Sequence, residues 1–411
     1  MSAQRSPAAR AALVRAQRTA LAVFLSVFVG SWLIVGALLA PAVGGWTSIA
    51  LAALALTVVP LAVLFRSRGS SHYPGKAIRL LVFRPMWYAQ LLLLLSALGG
   101  LAGAIAGLPF GAAGRVGRDV IAFVAVVYAL FALLGYAGSR RLAVTSLAVT
   151  LPSLPEALEG LRIAQICDTH IGPQTSRAHL ARVAAAVRRA APDLIAVVGD
   201  LIDDFAADVS IYSDTLGDLT APLGVYIVPG NHEVYAGWSE VLPRLRALSH
   251  TLLVNECRVV EHNGERMAIA GTGDPAAGRI PGPLVPAPDI PATLSRIPEG
   301  TFTLVLAHNP ALWPPLATAG VPLTLSGHTH WGQMSVNRAG WSVASVFLDL
   351  AMGAYSRGDS LLYVSPGTNY WGIPFRIGAR AELSILTLRR GAEAAITGAQ
   401  STDARARRTS G

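Results

Sequence analysis

Five apolar residues run into a glycine and two carboxylates in the stretch Leu194-Ile195-Ala196-Val197-Val198-Gly199-Asp200-Leu201-Ile202-Asp203. A short, β-branched apolar run that a glycine closes predicts a buried strand, Leu194–Val198. Asp200 and Asp203 then follow the carboxyl end of that strand. In open α/β sheets, ligands bind at the carboxyl ends of the strands. The stretch therefore predicts both a buried sheet and a polar site at its edge.

Four further apolar runs repeat this arrangement along the chain. The predicted strands are Arg162–Cys167, Gly224–Val228, Thr301–Ala307 and Leu323–Ser326. The polar blocks that follow them are Asp168-Thr169-His170, Gly230-Asn231-His232-Glu233, His308-Asn309 and Gly327-His328-Thr329-His330. Five of the nine histidines lie in these blocks, which is more than chance would place in such short segments.

Helical and hairpin patterns separate the predicted strands. Ser176 is the expected N-cap of a helix that continues to Arg189, and Trp238–Leu248 is a second predicted helix. Asn263-Gly264 predicts a type I′ hairpin turn, and the five prolines of Pro281–Ala292 predict a surface loop. Strands that alternate with helices and then with hairpins indicate a layered α/β domain.

The polar blocks are suited to a pair of divalent metal ions. Asp-x-His and His-x-His each direct two side chains the same way, because alternate residues of an extended segment share a face. Imidazole with carboxylate favours zinc, iron or manganese. Asp200 can bridge two ions, and the carbonyl of Asn231 adds a ligand without adding charge. Two such ions can clamp a phosphoryl oxygen and activate water near neutral pH, which indicates hydrolysis of a phosphate ester.

The five blocks, in this order, resemble the calcineurin-like metallophosphoesterase family, and the resemblance covers residues 161–388. Within the family, the branch of membrane-attached bacterial phosphoesterases is the most similar, on Gly332-Gln333 and the run Leu362–Ser365. The resemblance implies a two-sheet β-sandwich flanked by helices, with two divalent ions (Mn, Fe or Zn) on loops at one edge.

Carried onto this chain, the resemblance also implies a role for each polar residue. The nucleophile would be a metal-bridging hydroxide, and His232 would be the acid that protonates the leaving group. Asp203 and Glu233 would fix histidine rings. The first ion would be held by Asp168, His170 and His330, the second by Asn231, His308 and His328, and Asp200 would bridge them.

A few residues depart from the family pattern or lie outside it. Trp331 stands where relatives usually have glycine and is expected to narrow the pocket. The apolar stretch Trp341–Met352 is longer than expected, and either touches lipid or covers the site. Arg376 is expected to contact a phosphate or to form a surface salt bridge. Cys167 is expected to be a buried apolar residue and not a nucleophile.

The first third of the chain has the composition of a membrane region. Overall, 53% of residues are hydrophobic and 14% are charged, against about 25% charged in soluble domains. Each of four uncharged runs reaches the ~20 residues that a spanning helix needs. The runs are Thr19–Ala40, Thr47–Phe65, Met86–Phe110 and Val120–Ser139. No Asp, Glu, Lys, Arg or His lies inside them, so we expect an anchor and not an ion-coupled transporter.

The net charge of +9 is distributed unevenly. Residues 1–154 carry +12, residues 155–390 carry −4 and residues 391–411 carry +1. The basic charge therefore belongs to the membrane region, and a nucleic-acid partner is not expected. The tail before the first run, the second loop and the end of the fourth run hold eleven of the thirteen basic residues that precede residue 155. This bias places both termini, and with them the catalytic domain, on the cytoplasmic side of the cell membrane.

The predicted organisation is a basic tail (residues 1–18), four transmembrane helices (19–139), a linker (140–160), a metallophosphoesterase domain (161–390) and a disordered tail (391–411). The expected partners are the lipid bilayer and a phosphate-ester substrate, with a lipid-linked ester as one candidate. The leading functional hypothesis is a membrane-anchored phosphodiesterase or pyrophosphatase. A phosphomonoesterase or phosphoprotein phosphatase of the same fold, and an inactive membrane scaffold, are the alternatives.

Overall fold

The computed structural model describes residues 7–67, 76–172, 175–278, 287–398 and 407–408, and the chain divides into two compact units, Met1–Leu133 and Leu134–Gly411. The first unit is helical. Its helices are α1 (Pro7–Leu39), α2 (Trp46–Ala53), α3 (Val59–Ser67), α4 (Lys76–Ile78), α5 (Arg84–Gly107) and α6 (Ala113–Ser139), with π-helical turns at Leu54–Val58 and Arg79–Phe83. The last residues of α6 belong to the second unit.

Within the described residues, three helical spans are long and apolar enough to cross a membrane. They are Trp46–Val63, Arg79–Phe110 and Ala113–Ser139. The remaining predicted run, Thr19–Ala40, lies on α1, where the stretch that is apolar enough, Leu25–Leu39, is shorter than a membrane span. The count of four transmembrane helices therefore stays a prediction. Helix α1 begins at Pro7, inside the predicted basic tail, of which residues 1–6 lie outside the described part.

The second unit is built on two seven-stranded mixed sheets. Its helices are α7 (Arg177–Ala190), α8 (Val209–Leu216), α9 (Asn231–Tyr235), α10 (Trp238–Arg246), α11 (Ile290–Leu294) and α12 (Trp313–Thr318). Its strands are β1 (Leu142–Leu151), β2 (Arg162–Ile166), β3 (Leu194–Val198), β4 (Val225–Val228), β5 (Thr251–Leu252), β6 (Glu256–His262), β7 (Glu265–Gly271), β8 (Phe302–Leu306), β9 (Leu323–Ser326), β10 (Ser335–Val336), β11 (Trp341–Ser342), β12 (Gly353–Arg357), β13 (Ser360–Val364), β14 (Ala381–Arg390), β15 (Ala395–Gly398) and β16 (Arg407–Arg408).

The first sheet has the order β15-β1-β14-β2-β3-β4-β5 and the second has the order β16-β12-β13-β9-β8-β7-β6, while β10 and β11 form a separate pair. Strands β2 to β5 run parallel to one another, and so do β7, β8 and β9. The carboxyl ends of these parallel strands carry all five predicted polar blocks.

Strand β3 shows how the layers form. Leu194, Ala196 and Val198 pack into the core between the two sheets. Ile195 and Val197 point the other way, into a second core beneath α7, α8 and α10. All five side chains are buried because both faces of the strand are covered, which explains the unbroken apolar run. The predicted two-sheet sandwich flanked by helices is confirmed.

Several local predictions are also confirmed. Helix α7 begins directly after Ser176, and α10 begins at Trp238 as predicted, although it ends at Arg246. Asn263 and Gly264 both have positive φ, 52° and 83°, as a type I′ turn between β6 and β7 requires.

Two predicted irregular segments were wrong in the described part of the chain, and a third was wrong only at its end. The linker predicted for residues 140–160 contains β1, which pairs with β14 over ten residues. The predicted disordered tail contains β15, which pairs with β1. Both strands find partners far away in sequence, so local composition does not indicate them. In the predicted loop Pro281–Ala292, residues 281–286 lie outside the described part, and α11 begins at Ile290 with Asp289 as its cap.

Candidate metal centre

Sharp backbone turns place the predicted ligands at the strand ends. Asp168, His170, Asp200, His328 and His330 all have positive φ, between 38° and 73°. Non-glycine residues adopt this left-handed conformation at a cost of about 1–3 kcal/mol, and such residues cluster at functional sites. The turns direct five side chains out of the strand ends and toward one another.

Three side chains form the first cluster of donor atoms. His170 Nε2 and His330 Nε2 lie 2.9 Å apart. Asp168 Oδ1 lies 3.4 Å from His330 Nε2 and 4.0 Å from His170 Nε2. All three side chains are buried, and their donor atoms could hold one ion.

A second cluster lies beside the first. His308 Nε2 is 3.1 Å from Asp200 Oδ2, and His328 Nδ1 is 2.7 Å from the amide oxygen of Asn231. Asp200, His308 and His328 could hold an ion between them. Asp200 Oδ2 also lies 3.6 Å from His170 Nε2, so this carboxylate stands between the two clusters. The structure brings together all seven predicted ligands.

Two histidine rings turn Nε2 toward the donor clusters, as a metal ligand requires. His308 Nδ1–H donates to the carbonyl of Val198 at 2.8 Å, so Nε2 is the atom that would bind an ion. That Nε2 is buried and makes no hydrogen bond. His170 Nδ1 faces Asp203 Oδ1 at 3.4 Å, so its Nε2 also points into the cluster. Buried nitrogens that are left open toward carboxylates fit a divalent metal ion.

The electrostatics of the centre are dominated by these close contacts. Burial by itself would raise the pKa of Asp200, but His308 and His170 outweigh it and hold that pKa well below its usual range. Burial opposes protonation of His308, yet the carboxylates of Asp200 and Asp168 raise its pKa well above the usual value. Burial lowers the pKa of His328 to about 4, with a further contribution from His308.

His232 lies next to the clusters at the entrance. Its Nδ1–H donates to the main-chain carbonyl of Asp203 at 2.6 Å, and its ring meets that of His170 edge-on with centroids 4.6 Å apart. Two half-exposed aromatic rings flank it, Tyr235 at 5.6 Å and Trp371 at 6.1 Å between centroids. Neither ring belongs to one of the polar blocks, so no sequence signal predicted their place beside His232.

Glu233 has a different role from the predicted one. Asp203 lies beside histidine rings as expected, but Glu233 accepts hydrogen bonds from backbone N–H groups. Oε2 accepts from Gly230 at 2.7 Å and from Asp200 at 3.0 Å. Oε1 accepts from Leu201 at 2.8 Å and from Ile202 at 3.2 Å. The carboxylate thus holds the loop that presents Asp200.

Arg376 matches neither expectation. It does not contact an open phosphate site, and it does not form a surface salt bridge. It is 2% exposed, and its guanidinium donates to the carbonyls of Ala379, Pro366 and Asn369. Nη2 also lies 3.1 Å from His330 Nδ1. Arg376 therefore braces the loop behind a predicted ligand.

Two further expectations concern neighbouring residues. The Trp331 ring is buried against Met352 and Ala379, and its Nε1–H donates to the carbonyl of Val364 at 2.9 Å, so it anchors the loop of His330. Cys167 is 1% exposed, and burial raises the pKa of its thiol well above the usual value. Its predicted role as a buried apolar residue is consistent with this environment.

Comparison with known proteins identifies the domain. Residues 161–332 match the family model of calcineurin-like phosphoesterases. The chain is 30% identical to "Transmembrane protein with metallophosphoesterase domain" of Danio rerio over 68% of this chain and 64% of that protein. The Bos taurus protein of the same name is 32% identical over 60% of this chain and 57% of that protein. An "Uncharacterized metallophosphoesterase" of Helicobacter pylori is 33% identical over 56% of this chain and 60% of that protein.

The chain thus spans less than two thirds of the length of each of these curated relatives. Residues 161–332, in the second unit of this chain, match calcineurin-like phosphoesterases, so the resemblance is confirmed over those residues. The family and the donor clusters support a metal-dependent phosphoester hydrolase. The three apolar spans and the relatives named as transmembrane proteins indicate membrane association.

Proposed function

We propose that this protein, on the evidence of its calcineurin-like phosphoesterase domain, is a membrane-anchored dimetal hydrolase of phosphodiester or pyrophosphate bonds. The observation that carries the proposal is a pair of buried donor clusters on either side of Asp200. Buried structural carboxylates and imidazoles normally have their polar atoms paired, whereas here the nitrogen of His308 is left open toward its neighbour.

The two clusters divide the ligands between two ions. Asp168, His170 and His330 would hold one ion, and Asn231, His308 and His328 the other, with Asp200 shared. Two carboxylates face four positive charges in this arrangement, and the excess positive charge favours an anionic phosphate. The mixed nitrogen and oxygen donors fit manganese, iron or zinc. When bound, such ions polarise the phosphoryl group and lower the pKa of water, so that the nucleophile forms near neutral pH.

His232 is placed to serve as the acid. Its Nδ1–H is held by the carbonyl of Asp203, and its backbone N–H donates to Asp200 Oδ1 at 2.9 Å. These two contacts fix the ring beside the shared carboxylate. In the imidazolium form, Nε2–H remains available to the oxygen of the leaving group. Tyr235 and Trp371 then form the walls that the leaving group would meet.

The membrane region supports a substrate that is itself in or on the membrane. A soluble substrate would not require an anchor of at least three apolar spans. The aromatic walls beside His232 favour an apolar leaving group or an apolar tail next to the phosphate. We therefore propose a lipid-linked phosphate ester as the substrate class, and a cytoplasmic catalytic domain from the distribution of basic residues.

The test uses the full-length protein in detergent, stripped of metal. Hydrolysis of an aryl phosphodiester and of an aryl phosphomonoester is measured after Mn²⁺, Zn²⁺, Fe²⁺ or Mg²⁺ is restored. We expect metal-dependent turnover, with preference for the diester, that His232→Ala and Asp200→Asn each reduce by at least about 10²-fold. His262→Ala, on the β6–β7 hairpin, is the matched control and should keep its activity.

The alternatives give different results in the same assay. Preference for the monoester would replace the diesterase with a phosphomonoesterase. If the protein neither binds metal nor turns over any ester, the enzyme reading fails and the membrane scaffold remains. Equal activity in His232→Ala and in the parent protein would remove His232 as the acid.

A further inference from the structure

We propose that residues 335–348, here called the apolar segment, insert into the bilayer surface, so that the entrance beside His232 faces the lipid. This inference rests on the proposed function and deepens it, since it makes the route to the site lateral, from the membrane. The substrate would then be a phosphate ester whose apolar part stays in the bilayer during hydrolysis.

The apolar segment exposes more large apolar side chains than a water-facing loop normally does. They are Val336 (54% exposed), Trp341 (41%), Val346 (61%), Phe347 (78%) and Leu348 (43%). Val336 and Trp341 stand opposite each other in the β10–β11 pair, so their side chains adjoin. Contiguous exposed apolar side chains mark an interaction surface, whereas single ones need no explanation. Tryptophan in addition favours the boundary between lipid and water.

Four hydrogen bonds pair polar groups of serine and asparagine residues within the apolar segment. The N–H of Ser342 donates to Ser345 Oγ at 3.0 Å, and the N–H of Ser345 donates to Ser342 Oγ at 3.2 Å. Ser345 Oγ–H donates to the carbonyl of Ser342, and Ser335 Oγ–H donates to Asn337. Entry into lipid is unfavourable for unpaired polar groups, and these four hydrogen bonds remove much of that cost.

The last residues of α6, which belong to the second unit, mark the depth at which the membrane surface lies. The apolar run of this helix stops at Ser139, and the exposed Arg140 and Arg141 follow. Arg140 also donates to the hydroxyl of Tyr136. A tyrosine followed by two arginines is typical of the interface between hydrocarbon and headgroups. The hydrocarbon boundary therefore lies close to residues 136–141.

The apolar segment is tied to that same level by backbone hydrogen bonds. The N–H of Arg376 donates to the carbonyl of Gly135 at 2.9 Å, one helical turn before Arg140. The next residue, Ile377, donates to Gln333 at 3.0 Å and accepts from Ser335 at 2.9 Å. Two residues of backbone thus separate the helix end from the first strand of the apolar segment. This continuity with a membrane-spanning helix identifies lipid as the occupant of the exposed surface.

The entrance of the metal centre belongs to the same surface. Gln333 Nε2 donates to the carbonyl of Trp371 at 3.0 Å, and the N–H of Trp371 donates to Gln333 Oε1 at 2.9 Å. The Trp371 ring, 51% exposed, reaches His232 on its other side. Trp371 therefore connects the loop of Gln333, two residues before the apolar segment, to the proposed acid.

The direct test is spin-label accessibility in the full-length protein reconstituted into phosphatidylcholine vesicles. Cys257→Ser removes the partly exposed thiol, and the buried Cys167 remains. A nitroxide is attached at Phe347→Cys or, as the control, at Val259→Cys, an exposed apolar position on β6. We expect the label at 347 to collide more with oxygen than with a water-soluble nickel complex, and the label at 259 to show the reverse.

A second measurement tests the route of the substrate. The double variant Val346→Ser/Phe347→Ser should keep its turnover of a soluble aryl phosphodiester. Its turnover of a p-nitrophenyl phosphodiester lipid in phosphatidylcholine vesicles should fall at least about tenfold, because losing most of the burial of even one apolar side chain has that effect. Val259→Ser is the matched control.

Two results would overturn the inference. One is a label at 347 that is as accessible to the nickel complex as the label at 259, which places the apolar segment in water. The other is a label at 347 that neither oxygen nor the nickel complex reaches, which means that protein covers the apolar segment. If the parent protein hydrolyses neither ester, the proposed function fails, but the accessibility measurement still decides whether the apolar segment lies in lipid.

Discussion

The carboxylate of Glu233 offers a sharp test of how the loop of Asp200 is held. Replacing Glu233 with Gln keeps the shape of the side chain and exchanges one oxygen for an NH₂ group. Each carboxylate oxygen accepts from two backbone N–H groups, Oε2 from Gly230 and Asp200 and Oε1 from Leu201 and Ile202. In either orientation of the glutamine amide, its NH₂ group therefore faces two backbone N–H groups, and those two hydrogen bonds are lost.

The structure gives the size of the expected loss. Glu233 is fully buried, so water does not replace the lost acceptor. A hydrogen bond to a charged group contributes about 1.5–3 kcal/mol, and two are lost at once. We expect Glu233→Gln to lower the free energy of unfolding by about 3–6 kcal/mol, which corresponds to a fall in Tm of roughly 6–24 °C. Tm can be followed by tryptophan fluorescence of the detergent-solubilised, metal-loaded protein.

A surface glutamate provides the control. Glu240 lies exposed on α10, and Glu240→Gln should change the free energy of unfolding by less than about 0.5 kcal/mol. The metal content of Glu233→Gln should also fall, because the loop of Asp200 is displaced. If Glu233→Gln melts within experimental error of the parent protein and binds as much metal, the four hydrogen bonds do not hold this loop.

Three other predictions follow from the geometry of the centre. A Cβ at Gly230 would overlap Asp200 Oδ1. Gly230→Ala should therefore lower the metal affinity at least about tenfold, as measured by isothermal titration calorimetry. Gly278→Ala is the control and should keep the affinity, because nothing lies within 4 Å of the added carbon. Since carboxylates raise the pKa of His308, metal uptake must displace its proton; the apparent affinity should rise with pH by up to about tenfold per unit near neutrality, and an affinity that is independent of pH would contradict this. Because Cys167 is buried, Cys257→Ser protein should resist alkylation by iodoacetamide under native conditions, and rapid alkylation detected by mass spectrometry would show that the core opens.

The sequence was most informative where one short segment determines both structure and chemistry. The run that ends in Gly199-Asp200 predicted β3 to the residue, because a strand buried on both faces must be apolar throughout. All seven predicted ligands meet in the structure for a related reason, since parallel strands end at a common edge. The strands β1 and β15 were missed because their pairing depends on partners far away in the chain.

The roles of side chains around the centre required the tertiary structure. Glu233 was predicted to orient a histidine ring, yet it binds four backbone N–H groups. Arg376 was predicted at the surface or on a phosphate, yet it is buried behind His330. A charged residue in a sequence carries no signal of what surrounds it, and burial alone reverses its expected partners.

The sequence by itself thus determined the calcineurin-like domain, the seven clustered donors and the apolar character of the first third, because these depend on residue type, order and local period. Only the tertiary structure decided which contacts orient His308 and His232, where Tyr235 and Trp371 stand, and that the apolar segment shares a level with the end of α6. Apart from the contact of Tyr235 with His232, those facts depend on contacts between residues that lie 29 to 241 positions apart, and only the folded chain fixes such distances.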